Sequence, residues 1–256
     1  GTNARGNHIG NISLIAGTAD AGTGNAINFQ SGIGAASYSQ LGNGGREADG
    51  NHTGNIKVQA TVGNIGFTGT GSESYTQLGH GGFRTGGAME GNIDVDADAG
   101  SVLFASGAPG ANQWVGSAQL GHGGWESSGG GLTSSFDGTI NVDAATEVRF
   151  DATLGLAGGY TMLGHGGSGT GVGSVGANEI SDITVNSGGG INFLASTTAN
   201  GTGGSFSQLG HGGRGMTGNI TANVTATAGT AATFTGGVHD DSYAMLGNGG
   251  RATDGD

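Results

Sequence analysis

Four histidines share one repeated setting: His80, His122, His165 and His211 are each the polar residue of an LGHGG run, and Asn43 and Asn248 take the same place in LGNGG. Imidazoles stacked one strand apart could bind Zn²⁺ or Cu²⁺, since a neutral ring nitrogen is a common ligand for both. Yet the column accepts asparagine at both ends, and no second ligand recurs beside it. A hydrogen-bonded polar ladder that satisfies backbone groups at a corner fits both residue types, so no metal is expected there. His8, His52 and His239 lie outside the motif and are expected to be solvated.

A second candidate is acidic. Asp94, Asp96 and Asp98 would lie beside Asp143 of the next unit if units stack in register, and gathered carboxylates can hold Ca²⁺ through oxygen. The nine-residue GGxGxDxUx repeat of calcium-binding rolls is absent, so a solvated face with Lys57 against Asp94 is the competing expectation. Catalysis would call for one unit departing from the others in several ionisable residues. The nearest departure is the third unit, with Pro109, Trp114, Trp125 and Glu126, whose tryptophans could stack on a sugar or cover a corner. A third candidate is aromatic: Tyr38, Tyr75, Tyr160, Phe206 and Tyr243 precede the leucine of five of the six motifs by three residues. If that face looks outward, it forms a ladder for repeated weak contacts.

These residues are positioned by a tandem repeat. The motif leucines, Leu41, Leu78, Leu120, Leu163, Leu209 and Leu246, are separated by 37, 42, 43, 46 and 37 residues, so a fixed part alternates with loops of free length. The units run approximately 1–50, 51–87, 88–130, 131–177, 178–218 and 219–256, and form one array. Each opens on a strand of alternating apolar and polar residues: Ile12 to Ala16, Ile56 to Ala60, Ile93 to Ala97, Ile140 to Ala144, Ile183 to Ser187 and Ile220 to Ala226. A second strand carries Phe29, Phe67, Phe104, Phe150, Phe193 and Phe234, and the third is the motif itself.

Three short strands per unit, separated by glycine-rich corners, predict an all-β fold: a right-handed parallel β-helix of about six coils of ~40 residues. The phenylalanine and leucine columns are assigned to the bore, because the residues two before each leucine are only Ser, Thr and Ala, which suits a crowded core. Tyrosine then faces out. Six coils at one strand spacing would span on the order of 29 Å.

Composition agrees with such a body. Glycine accounts for 62 of 256 residues, there is one proline, and charged residues are 10%, far from an ordinary enzyme domain. Collagen is excluded because the glycines keep no triplet period, and disorder because the apolar residues are periodic. A net charge of −12 with one lysine argues against nucleic acid, and no apolar run is long enough to span a membrane. Cysteine is absent, so no disulfide or thiolate chemistry is available. Asn11, Asn51, Asn219 and Asn223 sit in N-glycosylation sequons. Because Gly1 to Ile12 aligns with Gly45 to Ile56, the chain starts inside a unit, and it is expected to be a piece of a longer array or an end-to-end fibre subunit.

The recurring GNIxVxA...GxIxF pair, at Gly54 to Phe67 and Gly91 to Phe104, resembles the repeats of filamentous haemagglutinin-type adhesins, and the LGHGG strand looks like motifs of long repetitive bacterial proteins of that kind. The resemblance covers essentially the whole chain. It implies a secreted β-helix shaft at or released from the bacterial surface. Units of about 40 residues rather than near 20, and the lack of a secretion or anchoring segment, depart from that pattern. The resulting expectation is a structural, non-enzymatic filament or adhesin segment needing no cofactor. Its partners would be copies of itself, surface glycans or other cells. A carbohydrate-binding or carbohydrate-cleaving β-helix using the third unit's loops is the alternative.

Overall fold

Period-two alternation fixes the first sheet, since apolar residues of each opening strand point inward and the polar ones outward. In the computed structural model, which describes residues 4–19, 24–34, 36–71, 73–106, 116–127, 134–152, 159–177, 179–196 and 204–253, these strands are Ile12–Ala16, Ile56–Ala60, Ile93–Ala97, Ile140–Ala144, Ile183–Ser187 and Val224–Ala228. They pair in parallel with like residues facing: Ile56, Ile93, Ile140 and Ile183 form one row, and Val58, Val95, Val142 and Val185 another. The second sheet is Asn25–Gln30, Asn64–Gly69, Val102–Ser106, Val148–Asp151, Ile191–Leu194 and Ala232–Thr235. Its phenylalanines stack face to face with ring centroids 4.7, 4.5, 4.6, 4.8 and 5.4 Å apart. The third sheet is Tyr38–Leu41, Tyr75–Leu78, Ser117–Leu120, Tyr160–Leu163, Phe206–Leu209 and Tyr243–Leu246. Together the three enclose a bore of Ile, Val, Ala, Phe and Leu, with Leu78, Leu120, Leu163 and Leu209 inside it as expected. The chain is a parallel β-solenoid.

Each coil has four strands rather than three. The stretch after LGxGG, expected to be a loop, forms a fourth parallel sheet: His8–Ile9, His52–Thr53, Ala88–Glu90, Ser134–Asp137, Gly166–Val175, Gly212–Thr217 and Gly249–Arg251. Its inward side chains, Met89, Phe136, Val175 and Met216, build a second and smaller core, with Ile220 packed against it. These strands are short or glycine-rich, which hides their period.

The last coil also enters the first sheet later than expected, at Val224 instead of Ile220. Two GNI-like sequences compete there. Ile220 bridges to Val175 and packs on the second core, while Asn223 takes the ladder position, its N–H bonded to the Asp182 carboxylate at 2.7 Å. That ladder explains the recurring asparagine: the Oδ1 atoms of Asn11, Asn55 and Asn92 accept the N–H groups of Asn55, Asn92 and Thr139 at 2.8–2.9 Å.

Candidate functional site

The repeated motif ends a strand and turns it. Leu78 closes its strand, and Gly79 and Gly81 follow at φ of 150° and 106°. A Cβ on Gly79 would run into the Gly121 carbonyl of the next coil, so glycine is required there by close backbone approach. His80 therefore leaves the strand instead of continuing on the leucine face.

All four histidines are fully buried, and their rings stack with centroids 4.7, 4.6 and 4.8 Å apart. Each Nδ1 accepts a backbone N–H from the preceding coil: His80 N–H to His122, His122 N–H to His165 and His165 N–H to His211, at 2.9–3.0 Å. The N–H of Asn43 binds Nδ1 of His80 in the same way. With Nδ1 accepting, the proton sits on Nε2, which donates to the carbonyls of Gly54, Gly91 and Gly138 from His80, His122 and His165 at 2.6, 2.7 and 2.8 Å. These three imidazoles thus tie third-sheet turns to the chain entering the first sheet.

Asparagine reproduces both bonds at Asn248, and at Asn43, the first of the column, it reproduces the donor bond. Oδ1 of Asn248 accepts the His211 N–H at 3.1 Å and its Nδ2 donates to Ala222, while Nδ2 of Asn43 donates to Gly10 and Thr53. Burial lowers the histidine pKa values, to about 4 for His80, about 3 for His211, and well below the ordinary value for His122 and His165. In the neutral rings of His80, His122 and His165 both nitrogens are committed, and in His211 the Nδ1 lone pair is taken by the His165 N–H while Nε2 has no hydrogen-bond partner. Among the described residues no three His, Asp or Glu side chains converge to hold one.

The aromatic column is not an outer ladder. Tyr75, Tyr160 and Phe206 are buried, and Tyr38 and Tyr243 are half-buried. The glycine run after each motif folds back across them, so that Tyr243 donates to the Gly213 carbonyl at 3.0 Å. The face opposite leucine is covered by backbone.

Behind the rings lie Gln40, Gln77, Gln119 and Gln208, whose Nε2 atoms face glycine carbonyls of the next coil. Gln77 reaches Gly121 and Gly123 at 3.0 Å, and Gln208 reaches Gly247 and Gly249 at 3.2 and 3.1 Å. In two coils tyrosine then reaches back one coil: Tyr160 OH donates to Gln119 Oε1 at 3.0 Å and Tyr243 OH to Gln208 Oε1 at 3.4 Å, whereas Tyr75 OH and Gln40 Oε1 make no such bond. Where the acceptor becomes Met162, the donor becomes Phe206, and the pair packs as an apolar cluster. Ser117 stands in the tyrosine place opposite Gln77, whose Oε1 has no hydrogen-bond partner. These matched pairs were visible in the sequence as a tyrosine or phenylalanine three residues before leucine and a glutamine or methionine one before it.

The remaining candidates separate. Lys57 Nζ lies 3.6 Å from Asp94 and 3.9 Å from Asp96, Asp98 accepts from Gln59 at 2.9 Å, and Asp143 accepts from Asn186 at 3.0 Å. Burial, then Asp94, raises the Asp96 pKa. Asp94 and Asp96 share one strand, Asp98 follows it, and Asp143 lies in register with Asp96 on the next strand. In the third unit, Trp125 packs edge-on against Phe83 at 5.2 Å, and Glu126 bonds Arg84 at 2.6 Å. Pro109 and Trp114 lie outside the described residues. His52, expected in solvent, is fully buried in the fourth sheet, where it stacks on His8 and its Nδ1 lies 3.0 Å from that of His8. It occupies the row that continues into Met89 and Phe136.

Comparison with protein families, with curated proteins and with solved structures found no match to this chain.

Proposed function

We propose that the chain is a structural, non-enzymatic segment of a shaft, part of an extracellular bacterial adhesin or filament in which each coil templates the next. The observation that carries this reading is the unbroken register of the columns. Six phenylalanines stack along the bore at 4.5–5.4 Å, and no coil interrupts them to open a cleft among the described residues. A catalytic solenoid would be expected to break its repeat where substrate binds. The residue type most able to react, the motif histidine, is fully buried and spends each Nδ1 on a backbone N–H of a neighbouring coil.

With the tyrosine column covered, contacts to glycans, other cells or neighbouring shafts are assigned to the outer faces of the first two sheets. Those faces carry rows such as Lys57, Asp94, Asn141, Thr184 and Thr225. Extension of the shaft uses the same coil-on-coil stacking, along one polypeptide or between copies. The carbohydrate alternative keeps one partly exposed ring, Trp125, with its acidic neighbour Glu126 already bonded to arginine.

Electron cryomicroscopy of the purified chain and of a tandem fusion of two copies tests the shaft. A straight rod that doubles in length on fusion, with an axial repeat of about 4.8 Å, is expected. Two separate globules joined by a flexible link would overturn the reading.

A further inference from the structure

We propose that the histidine column is an acid-labile seam: at low pH the stacked imidazoles charge, and the motif turns with the fourth sheet come away from the bore while the other three sheets hold. The inference starts from the hydrogen bonds. Each Nδ1 is an acceptor for a backbone N–H of the preceding coil, at 2.9–3.0 Å. A protonated ring carries hydrogen on both nitrogens, so Nδ1–H would confront that N–H, and the coil-to-coil bond is lost.

Geometry compounds the effect. The rings are stacked at 4.6–4.8 Å and fully buried, so adjacent imidazolium charges would repel across a water-free gap. Solvating them requires the turn to swing outward. That turn is continuous with the fourth-sheet strand, whereas the bore cluster of Ile, Val, Ala, Phe and Leu has nothing to titrate.

The titratable groups around the column do not neutralise it by contact. They are the histidines themselves and His52 beside His80. On the strands entering the acceptor carbonyls stand Glu90 before Gly91 and Asp137 before Gly138, with Asp182 after Ser181. Burial, then Asp137 and Glu179, raises the pKa of Glu90, so this carboxylate loses charge early as pH falls.

The sign follows from linkage. A histidine whose folded pKa lies below its unfolded value of 6.5 binds its proton more readily once released. The seam is therefore intact above that pH and weakens as pH falls from 6.5 towards about 4 for His80 and about 3 for His211. Asparagine at Asn248 makes the same two bonds without titrating, which supplies the control within the chain itself.

The test is hydrogen exchange on the full chain between pH 7.5 and 4, corrected for intrinsic rates. Amides of residues 79–82, 121–124 and 164–167 should exchange at least ~10-fold faster at the acid end, while those of Ile93–Ala97 and Val102–Ser106 remain protected and neutral pH restores the seam. The quadruple variant H80N/H122N/H165N/H211N should abolish the acid step. Should it fail to fold, H211N alone, which extends the asparagine end of the column, should move the midpoint to lower pH. E90Q should leave the midpoint in place. Seam amides protected down to pH 4, an unchanged midpoint in the asparagine variants, or loss of the step in E90Q would each overturn the proposal.

Discussion

The third sheet separates two environments that hold the coils together differently. On one side Leu78 and its equivalents join an apolar bore, and on the other Tyr75, Gln77 and His80 belong to a polar seam closed by the fourth sheet. In the bore, like residues stack on like, so its stabilisation scales with area and is largely indifferent to which coil is the neighbour. In the seam, each polar atom needs a particular partner one coil away. Tyr160 needs Gln119, His80 needs the imidazole of His122, and Phe206 is compatible with Met162 because neither asks for a hydrogen bond. The bore supplies most of the cohesion, and the seam fixes which residue sits above which, because a slipped strand leaves buried donors unpaired.

The largest expected effect breaks the bore. Phe104 is 1% exposed and sandwiched between Phe67 and Phe150 at 4.5 and 4.6 Å, so Phe104→Ala should leave a cavity along the axis and cost about 3–5 kcal/mol in urea unfolding. A loss under about 1 kcal/mol would mean that the column is not the principal source of stability.

A smaller effect sharpens the seam. Phe206→Tyr would place a buried hydroxyl opposite Met162, which offers no carbonyl, at a cost of about 1–3 kcal/mol. Combined with Met162→Gln, which restores the pairing seen at Tyr160 and Gln119, the double variant should recover on the order of 1 kcal/mol relative to the sum of the singles. Strict additivity in the cycle would show that the matched pairs are coincidental. This result would also separate the seam from the bore, where substitutions two coils apart should add.

How far the sequence discloses this arrangement depends on whether side chains or backbone make the contact. The first-sheet strands are readable to the residue in five coils, because Ile, Val and Ala alternate with polar groups, and the phenylalanines mark the second sheet by their spacing. Leucine inside was also readable, from the small residues beside it. The tyrosine face was misassigned because its cover is the carbonyl of Gly213 and its equivalents, and glycine leaves no side chain to announce a buried surface. The fourth sheet was missed for a related reason: the two residues His52–Thr53 and the glycine-laden Gly166–Val175 show no common period. In the last coil, two competing GNI-like segments stand four residues apart, and only the packing of Ile220 on the second core decides between them. The histidine column was legible as a ladder from its tolerance of asparagine, though not its tautomer, which depends on which backbone group each nitrogen meets.

The smallest expected effect lies outside both regions. Lys57 and Asp94 are 49% and 42% exposed in their side chains, and the 3.6 Å contact is screened by water. Lys57→Ala should therefore change stability by no more than about 0.5 kcal/mol, and what change there is should fade as salt is raised past ~0.5 M. The lysine does oppose the crowding of Asp94, Asp96 and Asp143, which together with burial holds the Asp96 pKa up, so its removal should raise that pKa further. Titration of Asp96 by NMR in both proteins measures the shift directly. If calcium raised the thermal midpoint of the Lys57→Ala protein at millimolar concentration, the open acidic face would be a latent cation site held off by one charge. An unchanged midpoint is expected, because no three of these carboxylates converge and Asp98 and Asp143 are engaged by Gln59 and Asn186. Such a face leaves the cohesion of the solenoid to the bore and its register to the seam.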